Sequence, residues 1–378
     1  MIWYVLIFLI CIIAYIIDKG IKNNSQKKIV EISIVIILAV FSGTRYKLGG
    51  WDYGIYNDIF DWSPNFFDFD FFVTNKYGTE IGYIFFNTII KSLGFNFYGF
   101  TLIHSAVFYF LLYRGLKKFD IDFSFFIIIF LYKSCIFNTF VSMRQSLVIV
   151  ILLNALYYLV NDRPIRYLLC ILPCVLIHTS SIILLPLVCM RNLNFSKKGL
   201  IIYSTTFLIL FVINILNIYQ FNPSNLIYHL FSNNVTIMNK VETYYVHAES
   251  SISLLSTIEN YLILLLVILT YRKVYKYSSK EHKIIINTFL MIIPIVTFFR
   301  SFEIMIRLRD YFSIFTPFVL YYISNVFKRK ERFIYTILIF AFSFIGYYRY
   351  IYTYDSGEFA LKNYQSYLTK NISIWSDK

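Results

Sequence analysis

The residues best suited to chemistry lie in the stretch Arg300-Ser-Phe-Glu303-Ile-Met-Ile-Arg307-Leu-Arg309-Asp310-Tyr311, which opens an otherwise apolar segment. On a helix turning ~100° per residue, Arg300, Glu303, Arg307 and Asp310 share one face and Arg309 points the other way. An ionisable side chain inside a membrane span costs at least about 2.5 kcal/mol, so it faces a bundle interior or a watery cavity and marks function. A cationic stripe braced by carboxylates points to an anionic ligand. The carboxylates have a second reading, as partners that neutralise Arg300 and Arg307 at i, i+3 spacing. Arg144-Gln145 and Arg45 add two more cations at the ends of apolar segments, on the same expected level of the membrane. For each arginine taken alone, interfacial snorkelling is the plainer account; the convergence of three sites favours function. His178, in Ile177-His178-Thr179-Ser180-Ser181, lies among hydroxyls and reads equally as a proton acceptor or a hydrogen-bonded core residue. His104, in Leu-Ile-His104-Ser, reads as structural.

The elements that must position these residues are membrane helices. The 378-residue chain is 58% hydrophobic and only 15% charged, far more apolar than a soluble core of this size needs. Candidate spans run near 2–17, 28–44, 122–140, 145–160, 199–219, 253–271, 283–299, 304–325 and 332–349. Two stretches, 81–113 and 165–190, do not fit single helices. The first is too long, and the second carries Pro173, His178 and Pro186. Both read as broken or re-entrant pairs, tolerated where protein or a cavity covers the backbone. The expected fold is all-α and polytopic, a single membrane domain over 1–378 with about 10–12 transmembrane helices.

The formal charge of +14 invites a nucleic-acid reading, and its distribution argues against one. Basic clusters alternate with spans, as the positive-inside rule requires of cytoplasmic loops. Assigning 18–28, 114–118, 163–166, 191–198, 272–283 and 328–332 to the cytoplasm gathers 21 of the 35 Lys and Arg there. The segments 45–80 and 220–252 and the tail 350–378 then lie outside the cytoplasm. All three are rich in aromatic and amide side chains, a composition that suits sugars and interfacial belts alike. The first segment has no basic leader region and reads as a retained span. The five cysteines lie in or beside apolar stretches without metal spacing and read as packing groups. No Walker loop, dinucleotide fingerprint, nucleophile elbow or metalloprotease motif is present, and nothing points to a bound metal or other cofactor. The two halves show no evident internal repeat, which weakens an inverted-repeat transporter.

Five stretches in order resemble the EpsG-like and Wzy-type family of polysaccharide repeat-unit polymerases. They are Arg45 with Gly50-Trp-Asp52-Tyr53-Gly-Ile-Tyr56, Glu80-Ile-Gly82-Tyr83, Arg144-Gln145, Ile177-His178-Thr-Ser180, and Arg307-Leu-Arg-Asp-Tyr311-Phe312. Near the C-terminus, where the family often has Asn-Pro-Tyr, this chain reads Lys362-Asn363-Tyr364-Gln365 without the proline, so no function is placed there. The resemblance implies a GT-C-like, metal-independent glycosyltransferase in a bacterial cytoplasmic membrane. Such an enzyme moves a growing glycan from polyprenyl diphosphate onto a hydroxyl of another lipid-linked repeat unit, making O-antigen, capsule or exopolysaccharide. Its partners would be that lipid-linked oligosaccharide, membrane lipid, chain-length regulators and flippases, with the site on the extracytoplasmic side. On this reading Arg144, Arg300 and Arg307 hold the diphosphate, with Arg45 a weaker fourth, because arginine grips phosphate oxygens bidentately. His178 is the first choice of base, with Asp52 and Glu303 as alternatives if desolvation raises their pKa. The rival readings are a lipid-linked oligosaccharide flippase, a membrane O-acyltransferase acting on polysaccharide, and a non-catalytic export subunit.

Overall fold

The computed structural model describes residues 1–50, 52–70, 78–216, 253–299, 303–353 and 360–376, without the side chains of 303–306. Arg300 and the whole 220–252 segment lie outside the described residues. The described chain is helical with no β-strand, and five helices are long and apolar enough to cross a membrane. They are Ile2–Gly20, Met143–Val160, Lys197–Ile215, Lys280–Phe298 and Arg329–Thr353, joined by four shorter apolar helical runs. Large aliphatic and aromatic side chains such as Ile2, Ile13, Ile16, Phe333, Ile334 and Leu338 face outward, as lipid-facing surface requires. The architecture is that of an all-α polytopic membrane protein.

The chain forms two compact units, residues 1–188 with 333–378, and residues 189–332. The first contains α1 (Ile2–Gly20), α2 (Asn24–Gly43), α3 (Asp52–Trp62), α4 (Ile81–Ser92), α5 (Phe97–Leu116), α6 (Phe123–Phe130), α7 (Met143–Val160) and α8 (Pro164–Ile171). Helices α2 and α5 run antiparallel. At one end Lys117 Nζ and the Tyr113 hydroxyl donate to the Glu31 carboxylate. At the other, Thr101 Oγ1 donates to the Gly43 carbonyl at 2.9 Å. Gly43 allows this approach, since a Cβ there would stand 2.8 Å from Leu102 Cα.

Both stretches expected to be broken are broken. The 81–113 stretch divides into α4 and α5 around Gly94, at φ 86°, a conformation that favours glycine. Asn96 then caps α5 by accepting from the Tyr98 and Gly99 N–H groups. The 165–190 stretch starts as α8 and tightens into a 3₁₀ turn at Leu172–Leu176. It breaks at Ile177–His178 and resumes as 3₁₀ from Thr179 to Asn192. Pro173 and Pro186 each lack the N–H that a continuous α-helix would use. Part of the expected loop 45–80 is itself ordered, as α3, whose Tyr53, Tyr56, Ile59 and Phe60 pack with Tyr83, Phe97, Phe100, Met143 and Leu147. Edge-on ring pairs, Tyr53 with Phe97 and Tyr56 with Tyr83, fix α3 against α5 and α4.

The tail threads back onto the same end of this unit. Tyr46 N–H donates to the Gln365 carbonyl, Tyr367 N–H to that of Thr44, and Asn96 N–H to that of Ile374. Tyr364, in the stretch that lacks the proline, stacks on Phe41 at 4.4 Å and donates to the Phe41 carbonyl.

The second unit corrects one expected span. Residues 304–325 form two helices, Glu303–Ser313 and Thr316–Ser324, separated at Ile314–Phe315. Pro317 sits in the first turn of the second helix, where its missing N–H is harmless, and its ring disfavours helical continuation through the preceding residue.

Candidate functional site

The first unit gathers four of the five sequence stretches around one carboxylate, that of Glu80. Glu80 occupies the N-cap position of α4 with extended backbone, yet its side chain does not cap its own helix. It turns outward, and Oε2 accepts from Arg144 Nη1 at 2.7 Å. Oε1 accepts from the Thr179 N–H at 2.9 Å and from Thr179 Oγ1 at 3.0 Å, and His178 Nδ1 stands 3.4 Å away. The Arg144 guanidinium lies over the Tyr56 ring, 5.8 Å from its centroid. Three chain segments distant in sequence, the starts of α4 and α7 and the break after Leu176, are thereby tied at one point.

The electrostatics follow from this crowding. Burial alone would push the Glu80 carboxyl up. The His178 contact, the Arg144 charge and the Thr179 N–H outweigh it and hold the group well below the usual carboxylate range. Its ion pair therefore contributes stability above the ordinary carboxylate pKa, and that contribution is lost only as pH falls through the lowered value. So weak a base is suited to orienting neighbours rather than accepting a proton. Arg144 is not fully engaged by it: its Nε is buried with no hydrogen-bond partner among the described residues. A buried N–H of this kind costs about 1–3 kcal/mol unless an acceptor arrives, and an anionic oxygen would satisfy it.

Gly82 sets how closely these segments meet. A Cβ there would lie 2.7 Å from the Leu176 carbonyl oxygen and 2.9 Å from its carbon, both backbone atoms. We expect Gly82→Val to force α4 from the Leu172–Leu176 turn, lower the melting temperature through an overpacking cost of about 1–3 kcal/mol, and separate Glu80 from Thr179. Gly20→Ala, with nothing within 4 Å of its Cβ, serves as the control and should match the parent in melting.

The other expected site residues fall elsewhere. Arg45, expected as a weaker phosphate ligand, is 0% exposed. Its Nε donates to the Leu48 carbonyl at 2.9 Å and Nη1 to that of Ser42 at 2.7 Å, while Nη2 approaches Met143 Sδ and the ion lies over Phe140. It clamps the turn after α2 to the start of α7 and offers no surface to a ligand. Asp52 begins α3, half-buried, one turn before Tyr56 and on the same helix face. Glu303 begins a helix of the second unit, and Arg307 sits half-buried one turn later. The expected stripe changes there too. Asp310 is hydrogen-bonded by Arg309, whose Nε and Nη2 both donate to Oδ1, at 3.1 and 2.8 Å, while the Arg307 charge also acts on it. The long arginine side chain folds back on its neighbour, an option that counting helix faces ignores. His104 is fully buried, with Nε2 on the Met143 carbonyl at 2.9 Å, and is structural. Glu80, Tyr56 and Thr179 were not assigned a role from sequence, although all three lie inside the quoted stretches.

Comparison with known proteins bears on this arrangement. The model of the EpsG family matches residues 28–366, which spans every residue of the Glu80 cluster. No curated protein and no solved structure matches the chain. The chain belongs to the EpsG family, and it is a multi-pass membrane protein of polysaccharide biosynthesis.

Proposed function

We propose that this protein is the polymerase of its pathway, a glycosyltransferase that joins polyprenyl-diphosphate-linked oligosaccharide repeats on the outer face of a bacterial cytoplasmic membrane. The observation that carries the reading is Arg144, braced by Glu80 and backed by Tyr56, with a buried N–H still lacking an acceptor. In the reaction an acceptor sugar hydroxyl attacks the anomeric carbon of the donor. The new glycosidic C–O bond forms, the C–O bond to diphosphate breaks, and polyprenyl diphosphate leaves with the negative charge. Arg144 neutralises that charge through fixed, charge-assisted hydrogen bonds, and Arg300 and Arg307 are the other candidates for that role. The hydroxyl proton passes to His178. Glu80 orients the imidazole by facing Nδ1, which leaves Nε2 as the acceptor. Asp52 and Glu303 are the alternative bases.

The test is the lipid-linked glycan profile of cells lacking the protein. Accumulation of one repeat unit on lipid at the outer leaflet, with no longer chains, supports polymerisation. Units trapped on the cytoplasmic leaflet would make the protein a flippase instead, and full-length chains lacking acyl decoration would make it an O-acyltransferase.

Sidedness has its own check. Phe67 in the 45–80 segment is 96% exposed, and Lys22 lies exposed before the opposite end of α2. In a cysteine-free background, Phe67→Cys should react with an impermeant maleimide in intact cells (spheroplasts where an outer membrane is present). Lys22→Cys should react only after permeabilisation, and the reverse pattern would place the Glu80 cluster on the cytoplasmic face.

A further inference from the structure

At the end of α2 and α5 opposite to the Glu80 cluster the first unit holds a second cationic feature, one that the proposed reaction does not use. A cavity of about 570 Å³ is lined by Asn24, Lys27, Lys28 and Glu31 of α2 and by Phe110, Tyr113, Arg114 and Lys117 of α5. At 1.5 Å per residue, the length of α2 puts it roughly 30 Å from Arg45, about one hydrocarbon thickness. Four cations face one carboxylate. Glu31 is already engaged by Lys117 and by the Tyr113 hydroxyl. Lys28 and Arg114 are exposed and form no ion pair among the described residues.

The placement of the lysines is unfavourable without an anion. Lys27 and Lys28 occupy the first turns of α2, where the helix dipole is itself positive. Beside this cationic mouth, outside the cavity lining except for Phe110, the exposed helix surface becomes apolar. On α2, Ile32 and Ile36 follow Lys28 at i+4 and i+8 and are 37% and 56% exposed. On α5, Phe110 lies one turn from Arg114 and is 57% exposed. A phosphate at the mouth and hydrocarbon along the wall describe a single amphiphile.

We propose that this pocket binds the phosphate headgroup of an anionic membrane phospholipid, whose acyl chain lies along Ile32, Ile36 and Phe110. The phosphate bridges Lys28 and Arg114, and the lipid ties the ends of α2 and α5 at the membrane face away from the Glu80 cluster. A soluble phosphate compound would satisfy the cations but leave the apolar wall unused, so the lipid is the favoured source.

Native mass spectrometry of the full-length protein, released from detergent micelles doped with phosphatidylglycerol or phosphatidylcholine of matched acyl chains, tests this. The parent should retain phosphatidylglycerol in preference, and millimolar inorganic phosphate should not displace it. Each cation removed should weaken phosphatidylglycerol binding about fivefold, so Lys28→Ala with Arg114→Ala should lose roughly 30-fold. Melting in phosphatidylcholine micelles should be unchanged in the double variant. If it is not, Lys28→Gln alone, with its ~fivefold loss, provides the measurement. Equal retention of both lipids, or a variant that keeps the full preference, overturns the proposal. Displacement by inorganic phosphate overturns the lipid assignment and leaves a site for a soluble anion.

Discussion

Arg144→Lys should stop chain elongation while the single lipid-linked unit accumulates, with the protein still present at its normal level. An ammonium reproduces the charge, but not the planar fork that holds Glu80 on one N–H and offers others to a diphosphate. Loss of one preorganised donor to a developing negative charge slows the chemical step about 10²–10³-fold. Arg144→Ala is a poorer probe. It strands a buried Glu80 carboxylate, a penalty of about 3–5 kcal/mol that confuses folding with catalysis. The informative partner is Arg144→Gln combined with Glu80→Gln, in which both charges vanish and a neutral hydrogen bond remains. If Arg144 served only to neutralise Glu80, this pair would polymerise better than Arg144→Gln alone. We expect it to restore stability in a melting assay and leave polymerisation absent, because nothing then holds the leaving group. Long chains from Arg144→Lys would remove the residue from the reaction.

The second large effect is expected at His178. His178→Ala should reduce polymer formation by about 10²–10⁴-fold, the range for loss of a positioned base, with protein abundance and the single lipid-linked unit unchanged. Glu80→Gln gives the complementary result. It keeps an acceptor for the Thr179 N–H but removes the carboxylate that faces His178 Nδ1. We expect the maximal rate to fall and its pH dependence to move, since the imidazole loses its negative neighbour. Substrate KM should change less, because Glu80 itself does not meet the donor. A Glu80→Gln variant with an unmoved pH profile would make Glu80 a purely structural tie. Long chains from His178→Ala would exclude the imidazole, and Asp52, one turn from Tyr56 on α3, would be tested next.

Arg144 and His178 were legible as candidates because each is a polar residue that an apolar segment tolerates only for a reason, and that reason is local. Glu80 was not. Its partners are 64 and 99 residues away, and no periodicity reports a contact at such separation. Arg45 was misread for the same cause seen from the other side. From sequence it is a cation at the end of a span, and its burial depends on the carbonyls of Ser42 and Leu48 curling back and on Phe140 and Met143 closing over it. The Arg309 bonds to Asp310 were missed because helix-face counting fixes where Cα–Cβ bonds point and ignores how far an arginine side chain folds.

What sequence alone determined is therefore the class of molecule: an all-α chain that crosses the membrane repeatedly and is broken within 81–113 and 165–190, while the structure placed those breaks near Gly94 and at Ile177–His178. Transfer of apolar side chains from water and the missing N–H of proline act within a few residues, so local reading captures them. Only the tertiary structure decided that Arg144 meets Glu80, that Thr179 and His178 join them, and that Arg45 is buried away from any ligand. Those outcomes rest on which desolvated donors find which acceptors. Such pairings become enforceable only once packing has excluded water from groups the chain brings together from far apart.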